Sequence, residues 1–287
     1  MPELPEVETI ARGVDARVRG DRIVDAWFGT HREPFKTPAA QQAKGLRERK
    51  IVAVHRTGKH IVVELGGDEV ARSGKKHSNM QYSTITAQWI VHLGMTGRLL
   101  VTTPDAPVAK HTHARLTLAS GRELRFVDPR RFGRLEFRDL RTGQGFAGPG
   151  AEPLTIEPAE FAELFRGRKL AIKAALLNQT LLAGVGNIYA DEGLFRAGIR
   201  PRRRAGRLTR EELEKLRRAL RAVLEHAIQL GGSSVSDYVD AEGVRGFFQL
   251  EHCVYQRTGE PCLRCGNVIK RIVVAGRSTH YCAHCQR

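Results

Sequence analysis

Long apolar runs are missing from this chain. A bilayer-spanning helix needs roughly 20 apolar residues, and strings such as "ITAQWIVHLGM" are interrupted by polar residues well short of that. The opening "MPELPEVETI" is too polar to read as a secretory leader, since a signal peptide needs an apolar core of about 7–15 residues, and is expected to belong to the folded protein. Cysteine is absent until Cys253, which excludes a disulfide framework spread over a secreted domain. Acidic residues are in short supply, 31 Asp and Glu against 47 Lys and Arg, for a formal charge of +16 and a pI near 10.2. These absences predict a soluble cytoplasmic protein in a reducing compartment, and the basic excess predicts a polyanionic partner.

What is present divides along the chain. At 287 residues with 41% apolar content, two compact units plus a small appendage are expected. Leu4, Val7, Ile10, Ala11, Val14 and Val18 recur at helical spacing. Pro5 suits a first turn, and Glu6 and Glu8 suit the positive end of the helix dipole. From about Arg22 to Phe137 the pattern changes to eight short segments, "RIVDAWF", "KIVAVHR", "HIVVEL", "QWIVHLGM", "GRLLVT", "ARLTLAS", "ELRFVD" and "GRLEFRD". Short strands separated by Gly, Asp and Ser turns predict a two-sheet β-sandwich. A polar insertion near residues 66–86 reads as a surface loop, and "RTGQGFAGPGAEPLT" as a linker. Helical patterns follow, the last opened by Thr209 as N-cap and closed by Gly231 and Gly232. "LLAGVGNIYADE" interrupts them with a Gly-x-Gly turn, where backbone amides at a helix start could hold a phosphate.

The cysteines carry the sharpest spacing signal. Cys262-x2-Cys265 and Cys282-x2-Cys285, sixteen residues apart, read as a tetrahedral site for one structural zinc ion, with a hairpin between the two pairs. Cys253 is left over and reads as a buried free thiol. His252, His280 and His284 are nearby substitutes, but four thiolates already saturate zinc.

Pro2 and Glu3 raise a chemical question. If Met1 is removed, Pro2 becomes a terminal secondary amine with a pKa of about 8. Attack by such an amine on a sugar's anomeric carbon gives an iminium ion, an electron sink for elimination, and the adjacent Glu3 is placed to move protons. Alone, this could be an ordinary proline-containing terminus. Yet "MPELPEVETI", "TGKH", "HLGMTG", "DPRRFGR", "GVGNIYADE" and the four-cysteine ribbon occur in this order in one chain. Together they resemble the bacterial formamidopyrimidine-DNA glycosylase family over nearly the whole length.

The resemblance implies an α+β protein with an N-terminal helix and two-sheet β-sandwich over 1–140 and a linker over 141–157. It further implies a helix-two-turn-helix domain over 158–249 and a zinc ribbon over 250–287. It implies Pro2 as nucleophile, Glu3 as proton donor with Glu6 in support, Lys59 in β-elimination and Arg277 in δ-elimination. Met95, Arg130 and Phe132 match void-filling residues, which extrusion of a nucleotide demands. His92, His111, Arg131, Arg168, Asn187 and Tyr255 match phosphate contacts, with Lys173 a weaker candidate. Ser236, Asp237 and Tyr238 fall in the lesion-recognition loop without individual roles. His60 departs from the family, standing where an aromatic commonly follows the lysine. The implied partner is double-stranded DNA containing oxidised bases or abasic sites, bound by a monomer. The implied activity is excision of oxidised purines with β,δ-elimination. Two alternatives stay open, excision of oxidised pyrimidines and a non-catalytic zinc-ribbon sensor of damage. Against the sensor, binding alone needs neither the secondary amine nor an acid that repels phosphate.

Overall fold

The computed structural model describes residues 1–67, 84–234, 241, 243–244 and 246–287. Most of the polar insertion, and Ser236, Asp237 and Tyr238, lie outside the described residues. The described residues form two compact units. The first contains residues 1–2, 6–67, 84–147, 241 and 243–244, and the second 3–5, 148–234 and 246–287.

The chain opens with α1 (Leu4–Val18). Val7, Ile10, Ala11, Val14 and Val18 on its apolar stripe are all buried in the first unit's core, and full burial of a large aliphatic side chain contributes about 1.5–3 kcal/mol. There follow β1 (Ile23–Phe28), α2 (Ala39–Leu46), β2 (Lys50–Thr57), β3 (His60–Gly66), β4 (Ile85–His92), β5 (Arg98–Thr102), β6 (Thr112–Leu118), β7 (Glu123–Val127) and β8 (Arg134–Asp139). All eight expected strands are present. They build two antiparallel sheets, ordered β1-β6-β7-β5 and β2-β3-β4-β8. Their inward side chains, among them Ile23, Val63, Trp89, Leu116, Phe126 and Leu135, share one core with α1.

Helix α2 was not expected, because its eight residues carry no long apolar face. Tertiary contacts hold it. Gln42 is fully buried, accepting a hydrogen bond from Trp89 Nε1 at 3.0 Å and donating to Thr37 O at 2.7 Å. Gly45 lets the helix approach the Phe137 ring, which a Cβ would meet at 2.5 Å.

The second unit contains α3 (Pro158–Phe165), α4 (Ile172–Leu177), α5 (Asn187–Ala197) and α6 (Arg210–Gln229). Their apolar faces gather Phe161, Phe165, Leu176, Tyr189, Leu216, Leu220 and Leu224 into a second core, to which Leu4 also belongs. Thr209 caps α6 as expected, in a reciprocal capping box with Glu212. Gly231, at φ +73°, follows its end. The chain then forms the antiparallel hairpin β9 (Ile269–Val274) and β10 (Arg277–Cys282). Its two-residue turn, Ala275 and Gly276, has both φ values positive, as the twist of a tight hairpin requires. Among the described residues, no helix is long and apolar enough to cross a membrane.

Candidate active site

In the first unit, Pro2 is buried and Met1 is half exposed. Glu6 and Lys59 are buried, at 2% and 7% exposure. Thr57 pairs with His60, so Gly58 and Lys59 form the turn of the β2–β3 hairpin. Gly58 takes the left-handed position at φ +60°, where glycine has no Cβ penalty.

His60 and His92 are paired across β3 and β4, their rings 4.9 Å apart, and His60 also stacks on Phe146 at 4.7 Å. Burial, aided for both by the Lys36 ammonium, pushes each imidazole down to about 4. Both are neutral near pH 7. His92 Nδ1 lies 3.2 Å from Gly94 N and accepts its hydrogen bond, which leaves Nε2 as the protonated donor. The two rings line a cavity of about 210 Å³ together with Lys36, Arg134 and Glu136.

The segments "HLGMTG" and "DPRRFGR" abut so closely that a Cβ on Gly94 would lie 2.5 Å from the Phe132 carbonyl carbon and Gly133 N. One fully buried carboxylate ties them together. Asp128 Oδ1 accepts from Thr96 Oγ1 at 2.5 Å and Arg130 N at 3.3 Å, while Oδ2 accepts from Gly133 N at 2.7 Å. Held this way, Met95 and Phe132 are 42% and 49% exposed, although their side chains are apolar. The Arg130 guanidinium lies over the Phe132 ring at 4.8 Å. Arg131 occupies a left-handed turn at φ +57°, with Nη1 3.1 Å from His31 and 3.5 Å from Glu33. His111 is exposed, and its carbonyl accepts from Asp128 N.

In the second unit, the helix start after the Gly-x-Gly turn, whose amides could hold a phosphate, holds a protein carboxylate. Glu3 Oε1 accepts from Ile188 N at 3.1 Å and Oε2 from Tyr189 N at 3.4 Å, in the first turn of α5. Those amides point along the positive end of the helix dipole, a favourable place for a carboxylate. A Cβ on Gly186 would lie 2.3 Å from the Glu3 carboxyl carbon, so the seat exists only with glycine there.

Lys173 is corrected: its ammonium is fully buried, 2.7 Å from Asp191 Oδ1, and donates to Ser278 O and Thr279 Oγ1. It has no exposed surface to offer a phosphate. Asn187 Nδ2 donates to Ser278 O at 3.0 Å. Arg277 is exposed at the first position of β10. Tyr255 is half-buried, its phenol pushed up by burial, and its backbone N–H is held by the buried Glu192 carboxylate at 2.9 Å. Arg168 is half-buried, with Nε donating to Leu164 O.

The Sγ atoms of Cys262, Cys265, Cys282 and Cys285 all lie within 4.8 Å of one another. The spacing suits zinc: with Zn–S of about 2.3 Å, tetrahedral ligands stand about 3.8 Å apart. The pairs Cys262–Cys285 and Cys265–Cys282 are 3.9 and 3.5 Å apart. Four thiolates would hold one structural zinc and leave no open coordination position for a water. His280 is turned to Asp191 and His252 toward Ser233. Cys253 is half-buried, short of the full burial expected.

Sequence reasoning missed Asp128, Asp191 and Thr96. The aspartate opening "DPRRFG" carried a usable signal, since Asp before a turn tends to bond backbone N–H groups ahead of it. Asp191 carried none, because its partners are far away in the chain.

Comparison with known proteins follows the same division. Residues 1–135 match the formamidopyrimidine-DNA glycosylase N-terminal domain, 148–239 its H2TH domain, and 259–287 the zinc finger found in FPG and IleRS. A formamidopyrimidine-DNA glycosylase of Solibacter usitatus is 45% identical over the full length of both chains. The Lactococcus lactis Fpg solved in complex with abasic-site DNA is 35% identical, covers 99% of each chain, and superposes with a TM-score of 0.84. The same protein in complex with DNA containing an oxidised pyrimidine covers 100% of each chain, at a TM-score of 0.83. The chain belongs to the formamidopyrimidine-DNA glycosylase family.

Proposed function

We propose that this chain is a bifunctional DNA glycosylase and AP lyase that excises oxidised purines, 8-oxoguanine and formamidopyrimidines, from duplex DNA. The observation that carries the reading is the seating of Glu3. An acidic side chain directly after Pro2 in the sequence is buried and fixed by two backbone amides. A flexible surface terminus would need no such seat.

With Met1 removed, the Pro2 amine attacks C1′ of the damaged nucleotide. The N–C1′ bond forms, the glycosidic bond breaks with its electron pair leaving on the base, and the sugar ring opens to an iminium ion. Glu3 transfers the proton that ring opening requires. Loss of a C2′ proton then expels the 3′-side phosphate by cleavage of C3′–O, assisted by Lys59. Loss of a C4′ proton expels the 5′-side phosphate by cleavage of C5′–O, assisted by Arg277. Each phosphate departs with the bonding pair, and water hydrolyses the remaining iminium to free the amine. When bound, zinc shapes the ribbon that carries Arg277.

Met95, Arg130 and Phe132 fill the space left by the extruded nucleotide. The exposure of Met95 and Phe132 beside Arg130 supports this, because apolar side chains held out of the core on one turn pair can wedge between bases. His92, His111, Arg131, Arg168, Asn187 and Tyr255 would contact phosphates, which position DNA without reading its sequence. The neutral His92 has its Nε2–H available for such a contact.

A second reading, excision of oxidised pyrimidines, is favoured by the Lactococcus lactis complex with DNA containing an oxidised pyrimidine. The deciding test is borohydride trapping on matched duplexes, with the adduct mapped. A covalent complex at Pro2, formed best with 8-oxoguanine opposite cytosine, is expected. Preference for the pyrimidine moves the assignment to the second reading. No adduct from zinc-loaded protein lacking Met1 overturns catalysis through Pro2.

A further inference from the structure

The Lys173–Asp191 pair is 2.7 Å apart with both side chains fully buried. Withdrawing two charges from water costs several kcal/mol per ion, so a buried pair is poor evidence for added stability, and fixing a geometry is one attested reason to keep one. Its contacts converge on three successive residues. Lys173 donates to Ser278 O at 2.9 Å and to Thr279 Oγ1 at 2.8 Å. Asp191 Oδ2 accepts from His280 N at 2.8 Å and sits 3.1 Å from His280 Nδ1. Asn187 adds a second donor to Ser278 O. These are the residues immediately after Arg277. The buried Thr279 hydroxyl also donates to the Arg277 carbonyl at 3.1 Å, so a chain of bonds runs from Asp191 through Lys173 and Thr279 to the backbone of Arg277. On the other side of Arg277 lie the Ala275–Gly276 turn and its ladder partner Val274 on β9.

We propose that Lys173 and Asp191 are positioning residues for Arg277, fixing the start of β10 to α4 and α5 so that the guanidinium meets the 5′-side phosphate in the second elimination. The proposal rests on the δ-elimination role assigned to Arg277 above. The zinc site fixes the far end of β10, at Cys282, and the polar clamp fixes the near end. Pairing with β9 holds β10 within its hairpin, but a hairpin tied at its zinc end only would let Arg277 wander by an ångström or more, enough to lower a rate by up to about 100-fold.

The test compares Asp191→Asn, Thr279→Val and Arg277→Ala with the parent, all zinc-loaded and lacking Met1. Three readouts are taken: zinc content, borohydride trapping at Pro2, and the ratio of δ- to β-elimination ends on a cleaved strand. Thr279→Val keeps side-chain volume and both buried charges while cutting the link to Arg277. Asp191→Asn and Thr279→Val are expected to keep zinc and trapping and to lower the δ share about tenfold. If Arg277→Ala retains the δ product, the role of Arg277 falls and the proposal with it. If Arg277→Ala loses it while the other two variants keep the parental ratio, the positioning role alone is overturned. A parallel loss of zinc, trapping and δ product in the two variants also overturns it, because the pair would then only support the fold.

Discussion

Gly186 is where a missing side chain does most for this protein. Any Cβ there would press on the Glu3 carboxyl group at 2.3–2.7 Å, and overpacking at such a site costs about 1–3 kcal/mol. Gly186→Ala is expected to lower thermal stability by that amount and to reduce single-turnover base excision far more than DNA affinity. Parallel unfolding, excision and band-shift measurements would check this. His60 gives a second residue-scale prediction. Its imidazole and that of His92 are pushed down to about 4 from the ordinary 6.5. Between those values the unfolded chain binds more protons than the folded one, so stability rises with pH through the window and is lost as pH falls from 6.5 toward 4. Each histidine contributes up to about 1.4 kcal/mol per pH unit there. His60→Phe, which keeps a ring against Phe146, should flatten the decline, as measured by urea unfolding at pH 7 and pH 4.5.

Among the elements, α6 was the most readable. Its 20 residues alternate buried leucines with charged positions, and Thr209 and Glu212 supply the start signal in the sequence itself. Thr209→Ala removes the hydroxyl that accepts from Glu212 N and should cost about 0.5–2 kcal/mol. Calorimetry should register that as a lower midpoint, with excision rate unchanged. The eight sheet strands were legible for a comparable reason, since β-branched runs bounded by turn residues are a local signal. Helix α2 was not. Its buried polar residue, Gln42, bonds to Trp89 and to the carbonyls of Thr37 and Leu135, two of which no local window contains.

The whole molecule carries a charge of +16, and this sets how it meets DNA. Neutralising six to ten phosphates releases as many counterions, so affinity should fall about 10³–10⁵-fold between 50 and 200 mM salt. A salt titration of binding to undamaged duplex would measure it. Removing zinc acts on one part alone: with the four thiolates no longer joined, the β9–β10 hairpin loses its closure. Chelated protein, verified metal-free, is expected to bind DNA more weakly and to lose δ-elimination, as read by band shift and by strand-end analysis.

What the sequence determined by itself is whatever depends on near neighbours along the chain. That covers the strands, the capped α6, the two Cys-x-x-Cys knuckles, the basic charge, and the motif order that resembles one family. Tertiary structure decided which polar groups meet. It put the Glu3 carboxylate against the amides of α5, buried Lys173 against Asp191, and joined the Met95 and Phe132 segments through Asp128. Burial makes the difference. Inside a protein an unpaired polar group costs more than in water, so distant partners are selected by a geometry that exists only after the chain has folded.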